Sequence, residues 1–167
     1  MPGLSPAAKW HIILMSFCKT GEAIMPAADI VELLGGQKVL KRKISNAMEL
    51  HERILMGLPY VAFDSVRTAL RLTREEAATA IGIPERTLVR RKKEKKFTAP
   101  ESDRLLRLAR VAALAVQIFG TEEKAAQWMK KPNFALGSRT PFELLETDAG
   151  VKAVEDVLWQ IAYGIIS

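Results

Sequence analysis

Cysteine and histidine are nearly absent from this chain of 167 residues, which has one cysteine, Cys18, and two histidines, His11 and His51. One thiol cannot form an internal disulfide or a cysteine metal cluster, and it favours a reducing compartment, the cytoplasm. The histidines lie in predicted helices without the spacing of metal ligands. The chain also has no phosphate-binding loop, nucleophile elbow or paired-acid motif. We therefore predict no enzyme, no metal and no cofactor.

Long apolar runs are missing as well. No segment approaches the roughly 20 apolar residues of a membrane-spanning helix, so no membrane partner is expected. The run from Ile12 to Cys18 lacks the cleavage pattern of a signal peptide and is interpreted as a buried helix face. Strand patterns are nearly absent, whereas helix caps and a 3.6-residue hydrophobic period recur along the chain. Since 49% of the residues are hydrophobic, a core can form, and we predict an all-α protein.

Positive charge is present but unevenly distributed. The net charge is +6 at pH 7, and basic residues exceed acidic ones by about seven between positions 67 and 110. The excess is about one before that segment, and after it acidic residues exceed basic ones by about two. Concentrated positive charge is typical of a segment that contacts a polyanion. The middle of the chain is therefore predicted to bind nucleic acid, and the C-terminal third to have another role.

Residues 73–96 have the pattern of a helix-turn-helix motif. Thr73 and Glu76 form a capping box that begins the first helix. Gly82 occupies the turn position that requires left-handed backbone, and Pro84 presets the backbone for the second helix and suits its first turn. Four small or apolar residues fall where the two helices meet, namely Ala78, Ile81, Ile83 and Leu88.

The second helix of the motif, predicted over 85–96, carries seven basic residues against two acidic ones. One face at helical spacing is predicted to contact base edges or phosphates of DNA; it is formed by Arg86, Thr87, Val89, Arg90 and Lys93. Three further residues are predicted to contact backbone phosphates or to bury their stems with the charged heads outward, and these are Arg91, Lys95 and Lys96. Because Arg91 stands where the motif expects a second apolar residue, the helix is predicted to be thinly anchored.

Two alternatives exist for this basic helix. It is either a DNA-binding element or a merely solvated charged face, and the second is disfavoured because the cap, alanine, glycine and leucine of the motif are all in register. RNA binding is disfavoured because no aromatic platform interleaves with the basic run.

Further helices are predicted on both sides of the motif. Before it, helices begin at Ser5-Pro6, at Ala27, at a Ser45 cap and at Tyr60, separated by glycines. After it, four more begin at caps, namely Thr98, Thr121, Thr140 and Thr147, of which Thr98 and Thr140 belong to capping boxes. The helix after Thr98 is so apolar beyond its middle that we expect it to be buried nearly all round.

Short strings in the C-terminal third form a denser pattern. They are Arg104–Arg110, Phe119-Gly120, Lys124-Ala125, Trp128, Pro132-Asn133, Ala135–Gly137, Thr140–Leu145, Gly150 and Ile161-x-x-Gly164. Together they resemble the Xre/MbcA/ParS-type antitoxin family. The resemblance extends through the helix-turn-helix back to about Asp29. Residues 1–24 have no counterpart and are either an additional helix or the result of a start upstream of Met25.

The resemblance implies a type II toxin–antitoxin system. Its antitoxin binds and inhibits a RES-domain toxin that degrades NAD by blocking the toxin's active site, and it represses its own operon by helix-turn-helix binding to double-stranded operator DNA. In this chain the basic centre would bind DNA, and the mildly acidic, apolar C-terminal part would bind the toxin. Helix-turn-helix proteins commonly act as two-fold dimers. We therefore expect a homodimer within a larger toxin–antitoxin hetero-oligomer.

Three domains are predicted on this basis. Residues 1–24 are an N-terminal helical extension, 25–97 a helical DNA-binding region that contains the helix-turn-helix, and 98–167 a small helical C-terminal toxin-binding domain. The alternative is a stand-alone helix-turn-helix transcription regulator whose C-terminal domain dimerises or senses a ligand. A neighbouring gene for a small NAD-degrading toxin would support the first reading, and its absence the second.

The end of the chain is a candidate toxin contact. Gly164 can end the last helix and leave an apolar tail beyond it, Ile165, Ile166 and Ser167. One hypothesis is that this tail, with Trp159 and Tyr163, enters the NAD cleft of the toxin, where the terminal carboxylate mimics a phosphate. The alternative is that the tail folds back onto its own domain. Arg139, in the loop before Thr140, is either a second toxin contact or a solvated loop charge.

Overall fold

The computed structural model describes residues 27–164, and within this range the chain is helical and contains no strand. The all-α prediction is confirmed. The predicted N-terminal helix with its run from Ile12 to Cys18, the alternative start at Met25, and the terminal tail 165–167 lie outside the described residues. The helices are α1 (Ala27–Leu33), α2 (Gly36–Leu40), α3 (Ala47–Leu55), α4 (Tyr60–Ala69), α5 (Arg74–Ala80), α6 (Glu85–Glu94), α7 (Ala99–Phe119), α8 (Glu122–Met129), a 3-10 helix (Phe134–Leu136), α9 (Pro141–Leu144) and α10 (Asp148–Ala162).

The predicted caps account for half of the α-helix starts between residues 27 and 164. At α5, Glu76 N donates to Thr73 Oγ1 over 3.1 Å and Thr73 N donates to the Glu76 carboxylate over 2.7 Å. Thr140 and Glu143 form the same reciprocal pair at α9. Single caps begin α8 at Thr121 and α10 at Thr147. These local hydrogen bonds satisfy amide groups that the first turn of a helix leaves without a partner.

One predicted helix cap was wrong by one residue. The cap of α3 is Asn46 rather than Ser45: Asn46 Oδ1 accepts from Glu49 N over 2.9 Å, while Ser45 N donates to the Glu49 carboxylate over 2.6 Å. Pro84, predicted to suit the first turn of the second helix, is the N-cap of α6 with extended backbone, and Glu85 takes the first helical position. In both places two adjacent residues are compatible with a helix start, so sequence alone does not separate them.

Helix α7 is the centre of the fold. In its second half, which was predicted to be buried nearly all round, residues 111–115 are buried and 116–119 half-buried, whereas Arg104 in the first half is exposed. It packs against α1 and α3 on the N-terminal side and against α8 and α10 on the C-terminal side. The buried apolar residues consequently form one contiguous core that includes both the helix-turn-helix and the C-terminal helices.

Polar contacts connect the helix-turn-helix to the C-terminal part. Arg71, in the loop before α5, pairs with Glu123 of α8 over 2.7 Å. Lys130 Nζ donates to Arg71 O over 3.0 Å and pairs with Glu76 over 3.1 Å. Arg104 of α7 donates to Gly82 O in the motif's turn over 3.0 Å. These contacts fix the orientation of the motif relative to α7 and α8.

Candidate nucleic-acid and protein interfaces

The turn of the helix-turn-helix is built as the sequence predicted. Gly82 has φ = 58°, the left-handed conformation that an L side chain rarely adopts. Ile83 N donates to Ala78 O over 2.9 Å, which closes the turn between α5 and α6. Ile81, Ile83 and Leu88 are buried, so apolar packing holds the two helices at a fixed angle.

The outer face of α6 is exposed and cationic. Arg86, Val89, Arg90 and Lys93 are exposed and lie opposite the buried Leu88, and Thr87 is half-buried at the edge of this face. Guanidinium and ammonium groups donate to guanine edges and phosphates, while the valine methyl groups can contact a thymine methyl. We call the surface of these five residues the recognition face.

Arg91 does not belong to the recognition face. Its Nε donates to the Glu101 carboxylate of α7 over 2.6 Å and its Nη1 donates to Glu94. The Arg91 and Glu101 side chains are only 12% and 13% exposed. The predicted thin anchoring of α6 was therefore wrong, because an ion pair fastens the helix where an apolar residue was expected. Since the guanidinium points into the protein, we remove Arg91 from the predicted DNA contacts.

This ion pair also changes the titration of Glu101. Burial alone raises the pKa of this carboxyl group, but the hydrogen bonds from Arg91 and Thr98 outweigh burial and hold the pKa below its ordinary value of 4.5. Thr98 N donates to the same carboxylate over 2.8 Å. Glu101 thus caps the N-terminus of α7 and anchors α6 at the same time.

The end of α6 is attached through its backbone. Lys95 adopts a left-handed conformation with φ = 60°, and its carbonyl accepts from Tyr60 N over 3.0 Å. Phe97 N donates to Leu58 O over 2.9 Å, and the Phe97 ring stacks on Tyr60 at 5.7 Å. The side chains of Lys95 and Lys96 remain exposed. The phosphate contacts predicted for both lysines stay a prediction.

A rigid loop in the C-terminal part presents an aromatic side chain that the sequence analysis missed. Asn133 Oδ1 accepts from Ala135 N over 2.9 Å, and Asn133 N donates to Arg139 O over 3.0 Å, so the loop closes on itself. Phe134 is 94% exposed at its tip, and the Arg139 side chain is exposed beside its base. The available signal was an aromatic residue between an Asn and a Gly, both typical of turns.

The 3-10 helix of this loop packs against α10, whose C-terminal end carries the other predicted toxin contacts. Trp159 is partly buried against the core, and its ring lies 6.3 Å from that of Tyr163, which is exposed. Gly164 has φ = 69°, as expected for a residue that ends a helix. The roles predicted for Arg139, Trp159, Tyr163, Gly164 and the tail 165–167 stay predictions.

Among residues 27–164, no group of three or more His, Cys, Asp or Glu side chains is arranged to hold a metal ion. None of the helices described is both long and apolar enough to cross a bilayer.

These features define a helix-turn-helix protein with an attached helical C-terminal part. The antitoxin Xre-like helix-turn-helix domain matches residues 49–110, and the antitoxin Xre/MbcA/ParS C-terminal toxin-binding domain matches residues 114–164. The proteins named Antitoxin Xre of Yersinia enterocolitica and Photorhabdus laumondii are each 37% identical over 125 residues, which cover 74% of this chain and 84% of theirs. Antitoxin Xre of Pseudomonas putida is 34% identical over 127 residues, which cover 73% of this chain and 76% of that protein.

The chain belongs to the Xre antitoxin family, the antitoxin component of a toxin–antitoxin system and not an enzyme. The resemblance stated from the sequence is thereby confirmed.

Proposed function

We propose that this antitoxin inhibits a RES-domain toxin that degrades NAD and represses its own operon through the helix-turn-helix. The observation that carries the proposal is the exposed recognition face on a chain whose C-terminal part matches a toxin-binding domain. Both partners, operon DNA and an NAD-consuming enzyme, would be met in the cytoplasm.

On the DNA side, Arg86, Arg90 and Lys93 supply contacts to base edges and phosphates in the major groove, with Thr87 and Val89 beside them. Lys95 and Lys96, at the end of the helix, contact the backbone and set the register without reading sequence. A homodimer would place two such helices on two half-sites of an operator, within a larger toxin–antitoxin hetero-oligomer.

On the toxin side, the candidate surface consists of the loop with Phe134 and Arg139, whose 3-10 helix packs on α10, and of the end of α10 with Trp159 and Tyr163. We assign this surface to toxin binding. The tail beyond Gly164 enters the NAD cleft, where the terminal carboxylate of Ser167 mimics a phosphate and blocks the active site. Large aromatic side chains at such a surface commonly contribute most of the binding energy.

The inhibitor role is tested by co-expressing the chain with the product of its neighbouring gene and purifying the complex through a tag on this chain alone. We expect a stoichiometric partner that consumes NAD only after the antitoxin has been stripped away. Failure to recover a partner, with DNA binding intact, would favour a stand-alone regulator instead. Removing residues 164–167 tests the tail, and unchanged inhibition by the truncated chain would argue against insertion into the cleft.

The division between the two surfaces is tested with an Arg86→Ala, Arg90→Ala double variant. Binding to a duplex carrying the operon's promoter is expected to be lost, while neutralisation of the toxin is retained, since both side chains are exposed and remote from the core. Loss of both activities in a folded variant would show that the surfaces are assigned wrongly.

A further inference from the structure

A second basic surface lies outside the helix-turn-helix. Lys38 in α2 and Lys41, Arg42 and Lys43 in the loop after it are all exposed, and no acidic residue occurs between positions 33 and 48. We call these four residues the flanking basic loop. The net charge of residues 1–66 does not reveal this loop, because that segment as a whole carries an excess of only about one positive charge.

Arg53 of α3 places this loop beside the end of the recognition helix. Its Nε donates to Leu40 O over 3.0 Å and its Nη1 donates to Gly57 O over 2.6 Å, so one side chain holds both segments together. Gly57 in turn lies against residues 96 and 97: a β-carbon on Gly57 would be 2.2 Å from Phe97 O and 4.0 Å from Lys96 Cδ. The flanking basic loop is therefore next to the end of α6.

Little within the described protein neutralises these charges. Arg42 pairs with Glu52 over 3.0 Å, and the Glu49 carboxylate accepts from Ser45 N. Lys38, Lys41 and Lys43 form no ion pair with residues 27–164. Burial, and then the positive charge of Arg42, lower the pKa of Arg53, which is consistent with cations crowded at this place. Three ammonium groups that have no ion-pair partner among residues 27–164 and lie beside a recognition helix fit an external polyanion.

We propose that Lys38, Lys41 and Lys43 contact backbone phosphates of the same duplex that the recognition face reads, one step outward from Lys95 and Lys96. The inference rests on the proposed DNA-binding function and extends its footprint beyond the motif. In the homeodomain, a three-helix variant of this motif, the C-terminal end of the recognition helix and a loop of the preceding helices contact the DNA backbone. Contacts of this kind add affinity and salt dependence but no sequence preference.

The test is a triple variant, Lys38→Gln, Lys41→Asn and Lys43→Gln. Asparagine suits position 41 because Lys41 has φ = 53°, a conformation that asparagine tolerates. The matched control removes three exposed lysines of the C-terminal part, Lys124→Gln, Lys131→Gln and Lys152→Gln, so both proteins lose the same net charge. Binding to the promoter duplex and to an unrelated duplex is measured between about 50 and 200 mM salt.

The flanking-loop variant is expected to bind both duplexes roughly tenfold more weakly per lost contact at about 0.1 M salt, with the slope of log affinity against log salt reduced by about 0.9 per contact. The control variant should keep the wild-type slope. Equal slopes for the two variants would overturn the proposal, and so would a loss confined to the promoter sequence. If the Arg86→Ala, Arg90→Ala variant binds as the wild type does, the assignment of the recognition face fails instead, and the two failures are thereby distinguished.

Discussion

At the scale of single residues, the attachment of α6 depends on Arg91. Replacing Arg91 by alanine leaves the largely buried Glu101 carboxylate with only Thr98 as a hydrogen-bond partner. We expect a loss of about 1–3 kcal/mol in the free energy of unfolding, measured by urea denaturation. Arg90→Ala, on the exposed side of the same helix, should change stability by less than about 0.5 kcal/mol.

A double variant, Arg91→Leu with Glu101→Leu, tests whether the cost comes from an uncompensated charge. Apolar replacement of both partners is expected to recover part of the stability, because an ion pair removed as a unit leaves no buried charge behind, while the Thr98 amide loses its capping partner. A double variant as unstable as Arg91→Ala would show instead that the geometry of the pair itself is required.

Glu101 gives a prediction for pH dependence. Its pKa in the folded protein lies below the ordinary value of 4.5, so its stabilising contribution is complete above that value and is lost as the pH falls further, through the folded pKa. A Glu101→Gln variant should therefore be less stable than the wild type at pH 7, and the difference should shrink on acidification below pH 4.5. Parallel stability curves from pH 7 to pH 3 would contradict this assignment.

Phe134 gives a prediction for the proposed toxin surface. Phe134→Ser should leave thermal stability unchanged, because the ring is almost fully exposed. If the ring inserts into a pocket of the toxin, its loss is expected to weaken toxin binding by roughly 30-fold, measured by calorimetry. Leu55→Ser, at an exposed apolar position of α3, is the matched control and should bind as the wild type does. Equal binding by both variants would exclude Phe134 from the interface.

At the scale of helices, the accuracy of the sequence analysis depended on how local each signal is. The Thr73 and Thr140 capping boxes join residues three positions apart, so their spacing is visible in the sequence. The partner of Arg91 lies ten residues away on another helix and is brought close only by the fold. The flanking basic loop was missed because acidic residues such as Asp29, Glu32 and Asp64 offset its charge in the net charge of residues 1–66. In the fold these three acidic residues line a separate groove of about 800 Å³.

The contact between α9 and α10 leads to a prediction about the direction in which a glycine-to-alanine replacement changes stability. Gly150 lies inside α10, where glycine normally costs about 0.5–1 kcal/mol relative to alanine. A β-carbon at this position would be 1.9 Å from Leu144 O, a backbone atom that cannot swing away. Gly150→Ala is therefore expected to destabilise the protein by about 1–3 kcal/mol. A stabilised variant would show that α9 can move away at little cost.

At the scale of the whole molecule, the position of α7 determines how the chain unfolds. A boundary at 97/98 divides the chain into two regions by sequence, yet α7 buries side chains against helices of both, and the core is contiguous. Because α7 contributes to the core of both regions, its detachment from one region would expose buried side chains of the other. We therefore expect a single cooperative unfolding transition for residues 27–164.

The measurement follows two probes in a Trp10→Phe background. Tryptophan fluorescence then reports on Trp128 and Trp159 in the C-terminal part. The backbone amide NMR signals of Ile81 and Leu88 report on the helix-turn-helix. Their thermal midpoints should coincide, and Gly150→Ala should lower both by the same amount although it lies far along the chain from α6. Separate midpoints, or a shift of the tryptophan signal alone, would mean that the two regions fold independently. A shared transition would couple loss of C-terminal packing directly to loss of the recognition face, since neither region would persist without α7.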